Sequence, residues 1–226
     1  MKTELLNENE EKKVIAVFGG SFNPPTMAHI RIACEIYNKS EEIDEVWMVP
    51  CGDGRDDKIV GVECKKRIEM CEIIKKEIAN DIPIKIDKTE YENGSYMQTY
   101  DLMKKLSEKY RNYKFMFVLG IDIVSDIINW GNGKQFLEEF DFIFTKRPGY
   151  NTEKILKSGC LLPKHFEILD MDINGSSTEI RERIKNQIEQ RKKNENIKIN
   201  YGISGLTSPG VVKYIISNGF YGIKEQ

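Results

Sequence analysis

Short apolar runs alternate with amphipathic stretches along this chain. Val14–Phe18 (VIAVF) is a β-branched and aromatic run that stops at two glycines, and it predicts a buried strand. From Met27 to about Tyr37 apolar residues return at helical spacing. Asp44–Val49 predicts a second strand. Val62–Ala79 predicts a long helix, with Lys, Arg and Glu on one face and Ile68, Cys71, Ile74 and Ile78 on the other. Ile82–Ile86 and Lys114–Leu119 predict further strands, with a helix over Met97–Tyr110 between them and a helical stretch from about Ile123 to Trp130 after them. Asp141–Thr145 and His165–Leu169 read as the last strands. A helix from Ser176 to about Gln190 follows, then a polar stretch over Arg191–Asn200. A final helix over Pro209–Asn218 has Pro at its first turn and Gly219 past its end. Strands that alternate with helices argue an α/β fold, a parallel sheet with helices on both faces. In such a sheet, ligands bind beyond the carboxyl ends of the strands. No repeat or Gly/Pro-rich linker divides the 226 residues, so one domain over 1–226 is expected, with a flexible leader over 1–13 and a polar loop over 191–207.

Charge and cysteine content narrow the partners. Lys+Arg of 34 against Asp+Glu of 36 gives a net charge of −2, which argues against indiscriminate binding to nucleic acid or a membrane surface. The 5 cysteines are odd in number and form no C-x-x-C, which fits reduced thiols inside a cell better than a disulfide framework. The polar, acidic start lacks the apolar core of a signal peptide, and no apolar run approaches the roughly 18 residues of a membrane helix. A cytoplasmic location is expected, with the nucleus left open.

Two segments carry candidate chemistry. GGSFNPPTMAH, residues 19–29, follows a strand and opens a helix. Gly19 and Gly20 let the backbone turn tightly and approach a ligand closely. Pro24 and Pro25 stiffen the turn, and Thr26 is the expected N-cap. His29 then falls in the first helical turn, where free N–H groups and the macrodipole favour an anion. A histidine there can donate a hydrogen bond to a phosphate. The helix field opposes its protonation, whereas a bound polyphosphate favours it, and charge would strengthen the contact. The other histidine, His165, lies in a strand-like run and reads as structural. The second segment is NGSSTEIRERI, residues 174–184. Ser176 and Glu179 have capping-box spacing, Ser177 and Thr178 add hydroxyls, and Arg181 sits one turn in, where its fork can grip phosphate oxygens. Alone, this segment reads equally well as simple capping.

Together these segments resemble the signatures of the H-x-G-H nucleotidyltransferase superfamily and, within it, the nicotinate/nicotinamide mononucleotide adenylyltransferases. GGSFNPP fits the family's opening, and Thr26, Met27, Ala28 and His29 occupy its signature four. Thr26 stands where the first histidine usually sits and Ala28 replaces the glycine, departures similar to those of eukaryotic-type members. Ser176–Arg181 is similar to the family's second motif, I-S-x-T/S-x-x-R. The resemblance implies a Rossmann-like sheet of nucleotidyltransferase type and adenylyl transfer from ATP to nicotinate mononucleotide. Nicotinamide mononucleotide stays open as a second acceptor.

It also implies a set of roles. Gly19, Gly20, Ser21, Phe22, Thr26, His29, Ser176, Ser177, Thr178 and Arg181 would hold ATP, with His29 and Arg181 catalytic. Ser21, Phe22 and Asn23 would also face the mononucleotide. VWMVPCGDGRDDK resembles a loop whose lysine approaches substrate phosphate, which assigns Lys58 and, less closely, Arg55. SYMQTYDL resembles the stretch against the pyridine, so Thr99 is a candidate, although Ser95 or Thr99 could equally cap a helix. LGIDIVSDIINW resembles the family's G-x-D…W, with Gly120 and Asp122 toward ribose hydroxyls and Trp130 stacking on the ring; as a lone aromatic Trp130 fits the core equally. TKRPG brings Arg147 to the mononucleotide. Mg²⁺ would bridge ATP phosphates without a protein metal site. ATP and nicotinate mononucleotide are the expected partners, without nucleic acid or membrane, and assembly into a homo-oligomer stays open. Other readings are a transferase of the same superfamily acting on phosphopantetheine, and a nucleotide-binding regulator without turnover, which Thr26 and Ala28 support. A dehydrogenase is disfavoured because no G-x-G-x-x-G follows the first strand.

Overall fold

The computed structural model describes residues 12–55, 60–146, 152, 159–194, 198 and 202–224. Six strands, β1 (Lys13–Gly20), β2 (Glu45–Pro50), β3 (Ile84–Ile86), β4 (Tyr113–Gly120), β5 (Asp141–Lys146) and β6 (Phe166–Asp170), form one sheet in the order β3-β2-β1-β4-β5-β6. Every pairing is parallel. Such strands are covered on both faces, which is why they read in the sequence as apolar runs and not as alternating ones.

Successive residues of each strand feed opposite layers. Ala16, Met48, Met116 and Ile143 pack with α1 (Met27–Lys39), α2 (Cys64–Ile78), α6 (Ser177–Arg191) and α7 (Pro209–Ser217). Ile15, Val17, Trp47, Phe117 and Phe142 pack with α4 (Thr99–Lys109), the 3-10 helix Ile121–Asn129 and α5 (Gly133–Glu139). β1 is central, and β2 and β4 flank it. The chain leaves the carboxyl ends of β1 and β4 toward opposite sides, which opens a crevice above Gly19, Gly20 and Gly120.

The structure corrects several expectations. Lys13 belongs to β1, so it is not part of a leader; residues 1–11 lie outside the described set. Ile78 is exposed because it closes the last turn of α2, whereas Arg67, read on the polar face, is fully buried. The helical stretch expected after β4 is present, as the 3-10 helix Ile121–Asn129. Two short helices were not expected, α3 (Thr89–Glu92) and α5. α5 hides behind G-N-G: Asn132 is left-handed at φ 56, and a Cβ on Gly133 would overlap the Ile127 carbonyl. Within the polar loop, residues 202–207 form a turn closed by a Ser204–Thr207 bridge. His165 sits at the amino end of β6 between carboxylates of Asp141 at 3.3 Å and Glu42 at 3.4 Å, a structural place far from the crevice. Among the described residues, no helix is long and apolar enough to cross a membrane.

Candidate active site

The turn after β1 folds its own aromatic side chain inward. Phe22 takes a positive φ of 45°, and its ring is 2% exposed. A Cβ on Gly20 would lie 3.1 Å from that ring, a contact tight enough that a side chain there would push the ring aside. The Phe22 ring meets the His29 imidazole edge-on at 5.0 Å, with Phe18 at 6.2 Å. Phe22 was expected to touch ATP and mononucleotide; in the structure its buried ring packs against His29 and shapes its seat.

Thr26 caps α1, as expected, and explains its own departure from the signature. Its Oγ1 accepts the His29 N–H at 3.3 Å, and His29 Nδ1 accepts the Thr26 N–H at 2.9 Å. The two residues close a capping box with histidine in the position usually held by Glu or Gln. A backbone N–H can only donate, so Nδ1 carries the lone pair and the proton of the neutral ring sits on Nε2. The box therefore fixes the tautomer of the neutral ring, with Nε2–H as its donor.

The N-terminus of α6 is built against this turn. Ser176 Oγ accepts the Glu179 N–H at 3.2 Å, but the Glu179 carboxylate pairs with Arg183 at 2.7 Å, so only half of the predicted capping box forms. Ser177 Oγ donates to the Pro24 carbonyl at 2.7 Å. Its one hydroxyl proton is taken up there, which leaves its main-chain N–H as the donor for a phosphate. Arg181 donates through one terminal nitrogen to the Asn23 carbonyl at 2.7 Å and through the other to Thr178 Oγ1 at 3.0 Å. A guanidinium has five N–H groups, so these contacts do not exhaust it. Gly175, at φ 137°, leaves just enough room for Ala28: a Cβ on it would stand 3.1 Å from the Ala28 methyl. A cleft of about 190 Å³ between Ala28, Asn174, Gly175 and Ser176 separates the two helix starts. Asn23 is 6% exposed, its carbonyl taken by Arg181 and its side-chain oxygen by the Tyr221 hydroxyl at 2.7 Å. Through both oxygens it holds the turn in place.

On the other side of β1 lies a cavity of about 490 Å³. Gly19, Gly20, Arg55, Tyr96, Thr99, Leu119 and Trp130 are in its wall. The N-cap of α4 is Gln98 without a side-chain cap bond, so neither Ser95 nor Thr99 has the capping role that was the alternative. One face of Trp130 stacks on Phe136 at 6.4 Å and 21°. Gly120 follows Leu119 and Asp122 lies two residues further on; the Asp122 carboxylate folds back so that a Cβ on Gly120 would come within 2.5 Å of it. Arg55 lies over the Tyr96 ring at 4.7 Å. Lys58 and Arg147 lie outside the described residues. Ser21 accepts, through its carbonyl, a hydrogen bond from Arg67 at 2.9 Å.

Arg67 and Glu90 are among the buried charged residues that were missed. Arg67, 0% exposed, donates to the carbonyls of Val62, Ser21 and Cys51 and to the Asp53 carboxylate, tying the turns after β1 and β2 together. Its sequence signal was an arginine in register with Cys64, Cys71 and Ile74 on α2. Glu90 uses one carboxylate oxygen to accept the N–H groups of Gly52 at 2.8 Å and Met97 at 3.0 Å. Burial pushes its pKa above the ordinary 4.5, against those N–H donors and the charges of Arg55 and Arg67. With the folded pKa raised, its contribution is full below the unfolded pKa and lost as pH rises through the folded one. Glu90→Gln keeps an acceptor for both N–H groups. Its melting temperature should therefore exceed wild type by a few degrees at pH 7 and converge on it as pH falls toward 4.5, as thermal unfolding across that range would show.

Comparison with known proteins agrees with this geometry. Residues 17–183 match the family model described as cytidylyltransferase-like. A protein of Bacillus cytotoxicus described as a probable nicotinate-nucleotide adenylyltransferase is 32% identical over 179 residues, covering 77% of this chain and 87% of its own. This chain belongs to the nicotinate-nucleotide adenylyltransferase family. The nicotinic acid mononucleotide adenylyltransferase of Plasmodium falciparum, solved in complex with NaAD, is similar in fold, with a TM-score of 0.74 and 29% identity over 94% of this chain and 98% of that one. The same protein complexed with APC gives 0.72 and 27% over the same shares. Both motifs of the adenylyltransferase family fall within the matched span, and here they meet on the Asn23–Thr26 turn.

Proposed function

We propose that this chain transfers the adenylyl group of ATP to nicotinate mononucleotide, giving the dinucleotide and pyrophosphate in NAD biosynthesis. A phosphate oxygen of the mononucleotide attacks the α-phosphorus in line. The bond from that phosphorus to the bridging oxygen of the β-phosphate breaks, and pyrophosphate leaves. No protein nucleophile takes part, so catalysis is positioning and charge stabilisation. His29 gives its Nε2–H to an α- or β-phosphate oxygen as charge develops. The α6 N-terminus, through the N–H groups of Ser177 and Thr178 and the remaining N–H groups of Arg181, holds the departing pyrophosphate. The mononucleotide lies in the cavity by Thr99 and Trp130, near Ser21, Gly120 and Asp122.

The observation that carries this reading is the pair of 2.7 Å hydrogen bonds from Ser177 and Arg181 to the turn that leads into His29, which put two anion-binding helix starts on one crevice. The donors gathered there are imidazole, guanidinium, hydroxyl and amide groups, suited to phosphate oxygens. Among the described residues no three His, Cys, Asp or Glu side chains gather around a metal position. We assign Mg²⁺ to the ATP phosphates as part of the substrate, because this cation keeps several waters and binds through substrate phosphates. The buried thiols of Cys51, Cys64 and Cys71 support a reducing compartment such as the cytoplasm.

Initial rates of pyrophosphate release with each mononucleotide, side by side, test the reaction. Turnover with nicotinate mononucleotide is expected, and ATP binding without turnover of either acceptor would favour a regulator. Base–aromatic stacking contributes about 1–3 kcal/mol. Trp130→Ala should accordingly raise the mononucleotide KM about tenfold or more while the ATP KM holds, as initial rates over both substrates would show.

A further inference from the structure

The turn that carries His29 is held by its carbonyl oxygens. Arg67 donates to Ser21 at 2.9 Å, Arg181 to Asn23 at 2.7 Å, Ser177 to Pro24 at 2.7 Å and Thr207 to Pro25 at 2.8 Å. The Met27 N–H donates to the Leu206 carbonyl at 2.9 Å, and the Tyr221 hydroxyl to Asn23 Oδ1 at 2.7 Å. Three of these contacts come from residues 206–221, beyond the 17–183 span of the family match. Tyr221 reaches Asn23 from a backbone that bulky residues seldom adopt: φ is 59°, between Gly219 at 62° and Gly222 at 86°. Its turn, Phe220–Gly222, packs against α6, the helix that bears Arg181. Burial raises the pKa of the Tyr221 hydroxyl, with Arg181 and Arg67 pulling the other way, so it stays a donor to Asn23.

We propose that Tyr221 is a positioning residue of the adenylyl-transfer site. Its hydroxyl orients the side chain of Asn23, whose main-chain oxygen holds Arg181, so the C-terminal turn sets both the guanidinium and the entry to His29. The inference rests on the reaction proposed above. A misplacement of about 1 Å can cost on the order of 10²-fold in rate.

The test compares Tyr221→Phe, which removes one oxygen and keeps the ring, with wild type and with the same change in an Arg181→Ala background. In the wild-type background kcat should fall about tenfold, with the mononucleotide KM within about twofold. In the Arg181→Ala background the loss should shrink to under about twofold, because the group being positioned is gone. Replacing Tyr221 by 4-aminophenylalanine, which restores an N–H donor of similar reach, should recover most of kcat; a space-filling role would treat it like Phe. If Tyr221→Phe does not fold, Asn23→Ser withdraws the acceptor and carries the same expectation. Equal fold-losses in both backgrounds, or a lower melting temperature with unchanged kcat, would overturn the proposal. A wild-type protein that turns over neither mononucleotide would overturn the reaction itself; an active wild type with an unaffected Tyr221→Phe overturns only the role of Tyr221.

Discussion

His29→Ala should lower kcat by on the order of 10²–10³-fold or more, the usual cost of removing one preorganised donor to developing charge. The structure gives this prediction a definite atom. Thr26 N–H occupies Nδ1, so the reacting face of the ring is Nε2–H, and no other imidazole stands on this turn. The same substitution removes the partner of the Thr26 N–H and the edge contact with Phe22. Loss of a cap costs about 1 kcal/mol, and for a chain of this size that lowers the melting temperature by only about 2–4 °C. Circular dichroism and pyrophosphate release on the same sample separate the effects: a folded protein with near-wild-type turnover would remove His29 from the mechanism.

Arg181→Ala should act on ATP first. The guanidinium both joins the two motifs, through the Asn23 carbonyl, and presents its remaining N–H groups to the crevice. Hydrogen bonds to charged groups contribute about 1.5–3 kcal/mol, so the ATP KM should rise about 10- to 100-fold with the mononucleotide KM changed far less. Arg181→Lys should recover little, because a point charge cannot serve the carbonyl and a phosphate at once as the planar fork does. An unchanged ATP KM and rate, read from initial velocities over both substrates, would take Arg181 out of the site.

Much of this was legible in the sequence because it depends on neighbours along the chain. The strands of a parallel sheet are buried on both faces, so VIAVF and KFMFVL declare themselves as apolar runs. The Thr26 and Ser176 caps are local hydrogen bonds over three residues. What stayed hidden depends on partners far away. Arg67 meets Ser21 across 46 positions, Glu90 meets Gly52 across 38, Ser177 meets Pro24 across 153 and Tyr221 meets Asn23 across 198. A buried arginine on a helix and a glutamate on a four-residue helix read as surface charge until the fold brings carbonyls and amides to them. Nothing in the motif shows that the ring of Phe22 turns inward from a positive φ.

The central claim is that two helix starts act on one polyphosphate. A crystal structure of the chain with a non-hydrolysable ATP analogue tests it most directly. The account predicts phosphate oxygens within about 3 Å of both His29 Nε2 and the Arg181 guanidinium. A triphosphate that touches only one of them, or binds elsewhere on the molecule, would contradict it.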